Sequence, residues 1–339
     1  MIVLGIETSC DETSAAVVED GNRVRSNVIF SQWEHSRYGG IVPELASRAH
    51  LRKIIPVLDG ALEEGRTSLS DLGGIAVTQG PGLVGSLLVG ISVAKAMAMA
   101  EGLPLVGVHH LEGHIFANVL EHPEVSPPFL VLLASGGHTE LIHVRQFGQY
   151  QIVGRTRDDA AGEAFDKVAK ILGLFREVGP AMGGPIIDRL ARDGDPAYVR
   201  FPRGLMDGRS LDFSFSGLKT AVINYLRKSP ESEIQARLPD ITASFQAAVV
   251  DVLVQKSVMA ATQRDLKQIV LVGGVAANAA LRAALVRCAD EHGLSVCFPS
   301  PVLCTDNAAM IAAAGIFRLS HGERSDWSLS ADPRLALVD

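Results

Sequence analysis

The feature that most constrains this chain is a unit that occurs twice: an apolar strand, a tight polar turn and a second strand. Residues 2–7 form the first strand, Thr8-Ser9-Cys10-Asp11-Glu12-Thr13 the turn, and residues 14–19 the return, with Gly21-Asn22 leading into a third run at 24–30. The pattern recurs as a strand at 129–134, the turn Ser135-Gly136-Gly137-His138-Thr139 and a strand at 140–144. One antiparallel opening near the start of each half points to a duplicated architecture. Around these units the pattern alternates. Strands are expected at 75–78, 105–108, 269–272 and 296–298, and helices at 83–100, 111–120, 160–172, 218–227, 241–263, 279–292 and 307–319. Such alternation predicts an α/β protein whose sheets are covered on both faces. At 339 residues two domains are expected. The proline-containing stretch 121–128 is the natural hinge, giving domains at 1–125 and 126–339, the second with a largely irregular and helical insertion around 155–228. Within it, residues 179–212 are rich in Gly, Pro and Arg and read as an irregular surface excursion.

Composition narrows the class. With 47% hydrophobic and 20% charged residues, the chain is neither disordered nor fibrous. Cys10, Cys288, Cys297 and Cys304 form no CxxC pair, and scattered thiols suit a reducing, cytoplasmic compartment. No basic segment precedes the first apolar run, so no signal peptide is expected. Residues 83–100 raise a membrane question, but Gly85, Ser86, Gly90, Ser92 and Lys95 fit a closely packed buried helix better. No membrane partner is expected. A net charge of −7 gives nucleic-acid binding no support from composition. RNA contact would need a local patch or a partner. Arg48, Arg52, Lys53, Arg155, Arg157, Arg200 and Arg203 are candidates, each equally readable as solvated surface charge.

Several segments carry possible chemistry. A turn such as Ser135-Gly136-Gly137, with a hydroxyl and free backbone N–H groups, can hold a phosphate, although a plain hairpin turn has the same composition. Gly273-Gly274 leads from a strand toward Asn278 and a helix, a geometry that suits a nucleotide at the helix N-terminus or tight strand–helix packing; it is not GxGxxG. His110 and His114 are four apart and share a helix face, as a metal pair would. Leu111 stands where a zincin needs Glu, and Glu112 is one residue too late. Asp306 caps the last helix or supplies a carboxylate to a metal held elsewhere. Asp158 and Asp159 would complement a helix dipole, whereas Asp166, deeper in that helix, is the better ligand candidate.

Together, residues 5–13, 39–44, 110–114, 135–139, 158–167, 213–220, 273–278 and 304–307 resemble the bacterial tRNA N6-adenosine threonylcarbamoyltransferase family, in order and over nearly the whole chain. That family was formerly described as an O-sialoglycoprotein endopeptidase. The resemblance implies the ASKHA (sugar kinase/actin-like ATPase) fold, with two related RNase H-like domains and a cleft between them. It implies one divalent metal per subunit, iron(II) or zinc, on His110, His114 and Asp306. It also implies that Leu133, Ala134, Ser135, Gly136, Gly137, Asp166, Gly184, Asp188 and Asn278 contact threonylcarbamoyl-adenylate. The implied partners are tRNA, a paralogous subunit and a small ATPase. The stretch from Phe175 to Met182 is longer than the family's usual link. Asp11 or Glu12 could assist proton removal. An ATP-dependent small-molecule kinase of the same superfold and a non-catalytic nucleotide-binding regulator are the competing readings.

Overall fold

The computed structural model describes residues 1–32, 41–175, 182–208 and 210–338. Gly39, Gly40 and most of the long link, Arg176 to Ala181, lie outside the described residues. Two compact units result, Met1–Val125 with Pro299–Asp339, and Ser126–Phe298.

In the first unit, β1 (Ile2–Glu7) lies between β2 (Glu12–Glu19) and β4 (Gly74–Gly80) in a five-stranded sheet of order β3-β2-β1-β4-β5. The outer strands are β3 (Arg23–Ser31) and β5 (Leu105–His109). β1 runs antiparallel to β2 and parallel to β4. A strand buried on both faces needs apolar or small residues at every position, and IVLGIE supplies them up to its last residue. Because side chains alternate, Leu4 and Ile6 enter one core with Leu58 and Leu87, while Gly5 faces the other side. The first face is covered by α1 (Pro43–Glu64) and α2 (Val84–Glu101). On the other face α3 (His110–Glu121) packs with the final helix, Ala308–Ser320. A Cβ on Gly5 would lie 2.3 Å from the Ala308 carbonyl oxygen, so only glycine lets that helix approach. α2 is long and apolar enough to cross a membrane, yet Leu87, Ile91, Ala94 and Ala98 form a buried stripe in the core.

The second unit repeats the design. β6 (Phe129–Ala134) and β7 (Thr139–Gln146) are the antiparallel pair, β8 (Gln149–Arg155) extends it, and β9 (Gln268–Val272) and β10 (Ser295–Cys297) are parallel additions. The order β10-β9-β6-β7-β8 is the first sheet's order under the mapping of β6 onto β1. Between β8 and β9 the chain forms α4 (Ala161–Ile171), α5 (Gly183–Ala191), α6 (Ser216–Lys228), α7 (Glu231–Ala236) and α8 (Leu238–Gln263); α9 (Ala279–Glu291) joins β9 to β10. Short α10 (Pro301–Cys304) and α11 (Ala308–Ser320) follow.

Three features depart from the sequence reading. Residues 299–339, assigned there to the second domain, pack in the first unit, because α11 covers the Gly5 face of β1. The stretch 179–212 contains the helix α5, which buries Ile186 and Ile187 against neighbouring helices. Helix α1, begun by Pro43 at its first turn, was not expected from the motif at 39–44.

Candidate functional site

Three donors converge in the first unit. His110 and His114 stand one turn apart at the start of α3, their ring centroids 4.8 Å apart. Asp306 sits in the turn before α11, with Oδ1 3.5 Å from His110 Nε2 and 3.2 Å from His114 Nε2. Asp306 does not cap that helix. Asn307 does, its side chain accepting from the Met310 N–H at 3.0 Å. The potential ligand atoms of His110, His114 and Asp306 all lie within 4.8 Å of one another, close enough to hold one metal ion. Among the described residues Nδ1 of buried His114 has no hydrogen-bond partner, and Nε2 faces only Asp306. A buried imidazole left in that state is costly, and a cation between the three groups would satisfy it.

Glu7, which the sequence reading took as a strand end, belongs to this site. It is fully buried, and its Oε2 lies 2.9 Å from His110 Nδ1 and accepts from Thr78 Oγ1 at 2.7 Å. Since Glu7 accepts, Nδ1 carries the proton and Nε2 is left facing Asp306. Burial pushes Glu7 up, but His110 outweighs it and holds the carboxyl below its usual value. Burial likewise opposes the charge on Asp306, yet His110 and His114 hold its carboxyl far below normal. For His110 burial works against the cation, and Asp306 and Glu7 together raise its pKa well above the usual imidazole value. Two carboxylates around two imidazoles make an anionic pocket that a divalent ion would neutralise. A carboxylate ending an otherwise apolar, buried strand was the signal in the sequence.

Asp11 and Glu12 lie within electrostatic reach. Burial, then Asp11 and Asp306, push Glu12 well above the usual carboxyl range. Burial and the same acidic neighbours raise the Cys10 thiol, so it stays protonated. Glu112 is paired with Arg318, Nε to Oε2 at 2.6 Å, so Glu112 is not a free carboxylate in the manner of a zincin base.

The second unit brings most of the remaining expected residues into one neighbourhood. Leu133 and Ala134 end β6 as buried strand residues, and the turn at Ser135 is closed by the His138 N–H donating to Ser135 Oγ at 3.1 Å. Gly136 and Gly137 are exposed with open space where a side chain would stand. Gly273, at φ +89°, comes so near that a Cβ would lie 2.5 Å from the Ala134 carbonyl oxygen. Asn278 caps α9, accepting from the Leu281 N–H at 2.8 Å. Asp166 accepts from the Gly183 N–H at 2.6 Å, so it caps α5, the helix that carries Gly184 and Asp188. Asp188 is buried and lies 3.4 Å from Arg192. Asp158 caps α6 from outside that helix, while Asp159 pairs with Lys167 at 2.8 Å.

Two sheets of identical topology and a His-His-Asp donor group define a metal-capable, ASKHA-type α/β protein. Solved structures with this fold include T. kodakarensis HypF (TM-score 0.63, 14% identity, covering 94% of this chain and 48% of that one). Acidaminococcus fermentans (R)-2-hydroxyglutaryl-CoA dehydratase component A is another (TM-score 0.56, 16% identity, 94% and 99% covered). The profile of the TsaD family, tRNA N6-adenosine threonylcarbamoyltransferase, matches residues 23–313. Proteins of that name from Geotalea uraniireducens (54% identical over 98% of this chain and 96% of the relative) and Geobacillus thermodenitrificans (53%, 99% and 97%) are similar nearly end to end. The chain belongs to the tRNA N6-adenosine threonylcarbamoyltransferase family.

Proposed function

We infer that this chain moves a threonylcarbamoyl group from threonylcarbamoyl-adenylate to N6 of the adenosine beside a tRNA anticodon, in the cytoplasm. Family membership supplies the reaction class. The observation that carries the site is the buried group of His110, His114 and Asp306 with Glu7 behind it. A divalent ion bound there would supply Lewis-acid polarisation of a substrate oxygen. Two imidazoles and one carboxylate suit iron(II) or zinc, one per chain.

The remaining chemistry belongs to the chain's own residues. The turn at Leu133, Ala134, Ser135, Gly136 and Gly137 offers the adenylate backbone N–H groups and room at both glycines. Asp166, Gly184, Asp188 and Asn278 line its organic part. In the transfer, N6 forms a bond to the carbamoyl carbon, the bond from that carbon to the adenylate oxygen breaks, and AMP leaves with the electron pair. The N6 proton passes to Asp11 or Glu12. An exocyclic amine is a weak nucleophile, so positioning supplies much of the rate. A paralogous subunit and a small ATPase assist the reaction. In support of a partner, Leu51, Ile55, Val84 and Leu88 are exposed on α1 and α2, which pack side by side.

The test is nucleoside mass spectrometry on tRNA incubated with the protein, its partner subunits and threonylcarbamoyl-adenylate. Modified adenosine is expected, falling by at least about 100-fold in Asp306→Ala, the equivalent of a few kcal/mol of charge stabilisation. No product from wild type, with the adenylate intact and the partners competent beside another transferase, would sink the reading.

A further inference from the structure

A cavity of the second unit, about 850 Å³, is not lined by any residue assigned above to the adenylate. Its wall comes from two helix faces. On α8, Ala243, Gln246, Ala247 and Val250 are spaced to share one face, and on α9 Ala280 and Ala284 do the same. Alanines at these positions leave between the helices the space that larger side chains would fill. The rim is cationic. Arg203 is fixed by Asp251, with Nε at 3.1 Å and Nη2 at 2.7 Å from Oδ2. Arg200 and Arg287 line the same cavity from different elements, and neither has an ion-pair partner among the described residues.

A buried amide fixes the chemistry of the wall. The Leu281 backbone N–H can only donate, so Asn278 presents Oδ1 to it at 2.8 Å. The Asn278 Nδ2 must then donate to Gln246, at 2.7 Å, which makes that Gln246 atom the oxygen. Gln246 Nε2 is left as a donor with no partner among the described residues, on a side chain only 6% exposed that lines the cavity. Two unpaired guanidiniums from separate elements, an N–H donor on a nearly buried residue and an apolar wall make a receptor for an anion with an organic body. The volume falls in the range of about 300–1,000 Å³ typical of ligand sites.

We propose that this cavity binds a nucleotide-sized phosphate ester, with the phosphate on Arg200 and Arg287 and the Gln246 amide donating to the organic part that rests on the alanine wall. The ester is either a free nucleotide or one nucleotide of the substrate RNA, and the site is separate from the one that holds the adenylate. Through the Asn278–Gln246 hydrogen bond, an occupant would also steady the cap of α9.

Two variants test this. R200Q/R287Q changes only exposed side chains. Gln246→Glu keeps the oxygen that accepts from Asn278 and turns the free donor into an acceptor, removing the hydrogen bond to the organic part without disturbing the cap. Calorimetric titration of the full chain with ADP reads the first source: each variant should bind one equivalent fewer than wild type. Filter binding of unmodified tRNA across a salt series reads the second. R200Q/R287Q should then bind at least about tenfold more weakly, with a salt slope smaller by about two. Either pattern supports the site and names its occupant. Unchanged ADP stoichiometry together with unchanged tRNA affinity in both variants overturns it. Neither readout depends on transferase turnover, so this outcome is distinguishable from a failure of the function proposed above.

Discussion

Glu7 is a residue whose role lies in what it does to another. Its carboxylate fixes the Nδ1 proton of His110 and so aims Nε2 toward the space shared with His114 and Asp306. Glu7→Gln keeps the shape but offers His110 an amide in place of a carboxylate. Metal affinity should fall by about 10- to 100-fold, the usual cost of losing such a partner, as read by competition with a chromogenic chelator. Unchanged affinity would show that Glu7 only fills space. The sequence displayed the metal trio unevenly. His110 and His114 are legible from i, i+4 spacing alone. Asp306 read equally well as a helix cap, and that ambiguity closed only when Asn307 took the cap. Glu7 stayed hidden because its partner is 103 residues away.

At the scale of elements, two contacts set the site. The first is the approach of α11 to β1 over Gly5, which brings the turn carrying Asp306 up to α3. A methyl at Gly5 would stand 2.3 Å from the Ala308 oxygen and 2.8 Å from the Ala312 nitrogen, and backbone cannot step aside as a side-chain tip can. Gly5→Ala should therefore cost about 1–3 kcal/mol in denaturant unfolding and loosen metal binding as well. A variant that is less stable yet binds metal as wild type does would separate the helix contact from the site. The second contact is Asp158 at the start of α6, a helix whose own N-cap, Phe215, offers no capping side chain. Partial burial works against its charge, but hydrogen bonds from Ser214, Phe215 and Ser216 prevail and lower its pKa. A carboxyl lowered by folding stabilises above its unfolded pKa of about 4 and loses that contribution as pH falls through the lower folded value. The melting-temperature gap between wild type and Asp158→Asn should be full near neutral pH and close in acid. A gap independent of pH would remove the charge from the account. Asp158 was read from the sequence as serving its own helix, because spacing along a chain does not show a helix 58 residues further on.

For the molecule as a whole, the duplication was legible because it rests on local patterns: two apolar strands, two polar turns and the helices between strands. The unit to which the last helix belongs was not. Residues 308–320 are apolar nearly all round, and such a helix suits any sheet face equally until a close approach like that at Gly5 selects one. The consequence is a first unit made of two chain segments and a second made of one. Fragment 126–298 holds a complete five-stranded sheet with its helices and should unfold cooperatively by itself. Fragment 1–125 lacks α11, which buries Met310, Ile311, Ile316 and Leu319. At about 1.5–3 kcal/mol for each of these side chains, the loss is roughly 6–12 kcal/mol, comparable with the whole stability of an ordinary domain, about 5–15 kcal/mol. The fragment should therefore be collapsed and non-cooperative. A permuted chain that joins 299–339 to 1–125 should recover a cooperative melt by circular dichroism and bind one metal ion, because it carries His110, His114, Asp306 and Glu7 together. A cooperative melt from 1–125 alone would mean that α11 is an accessory of this unit and would undo the argument from Gly5. A folded permutant without metal would place an essential part of the site in the other unit.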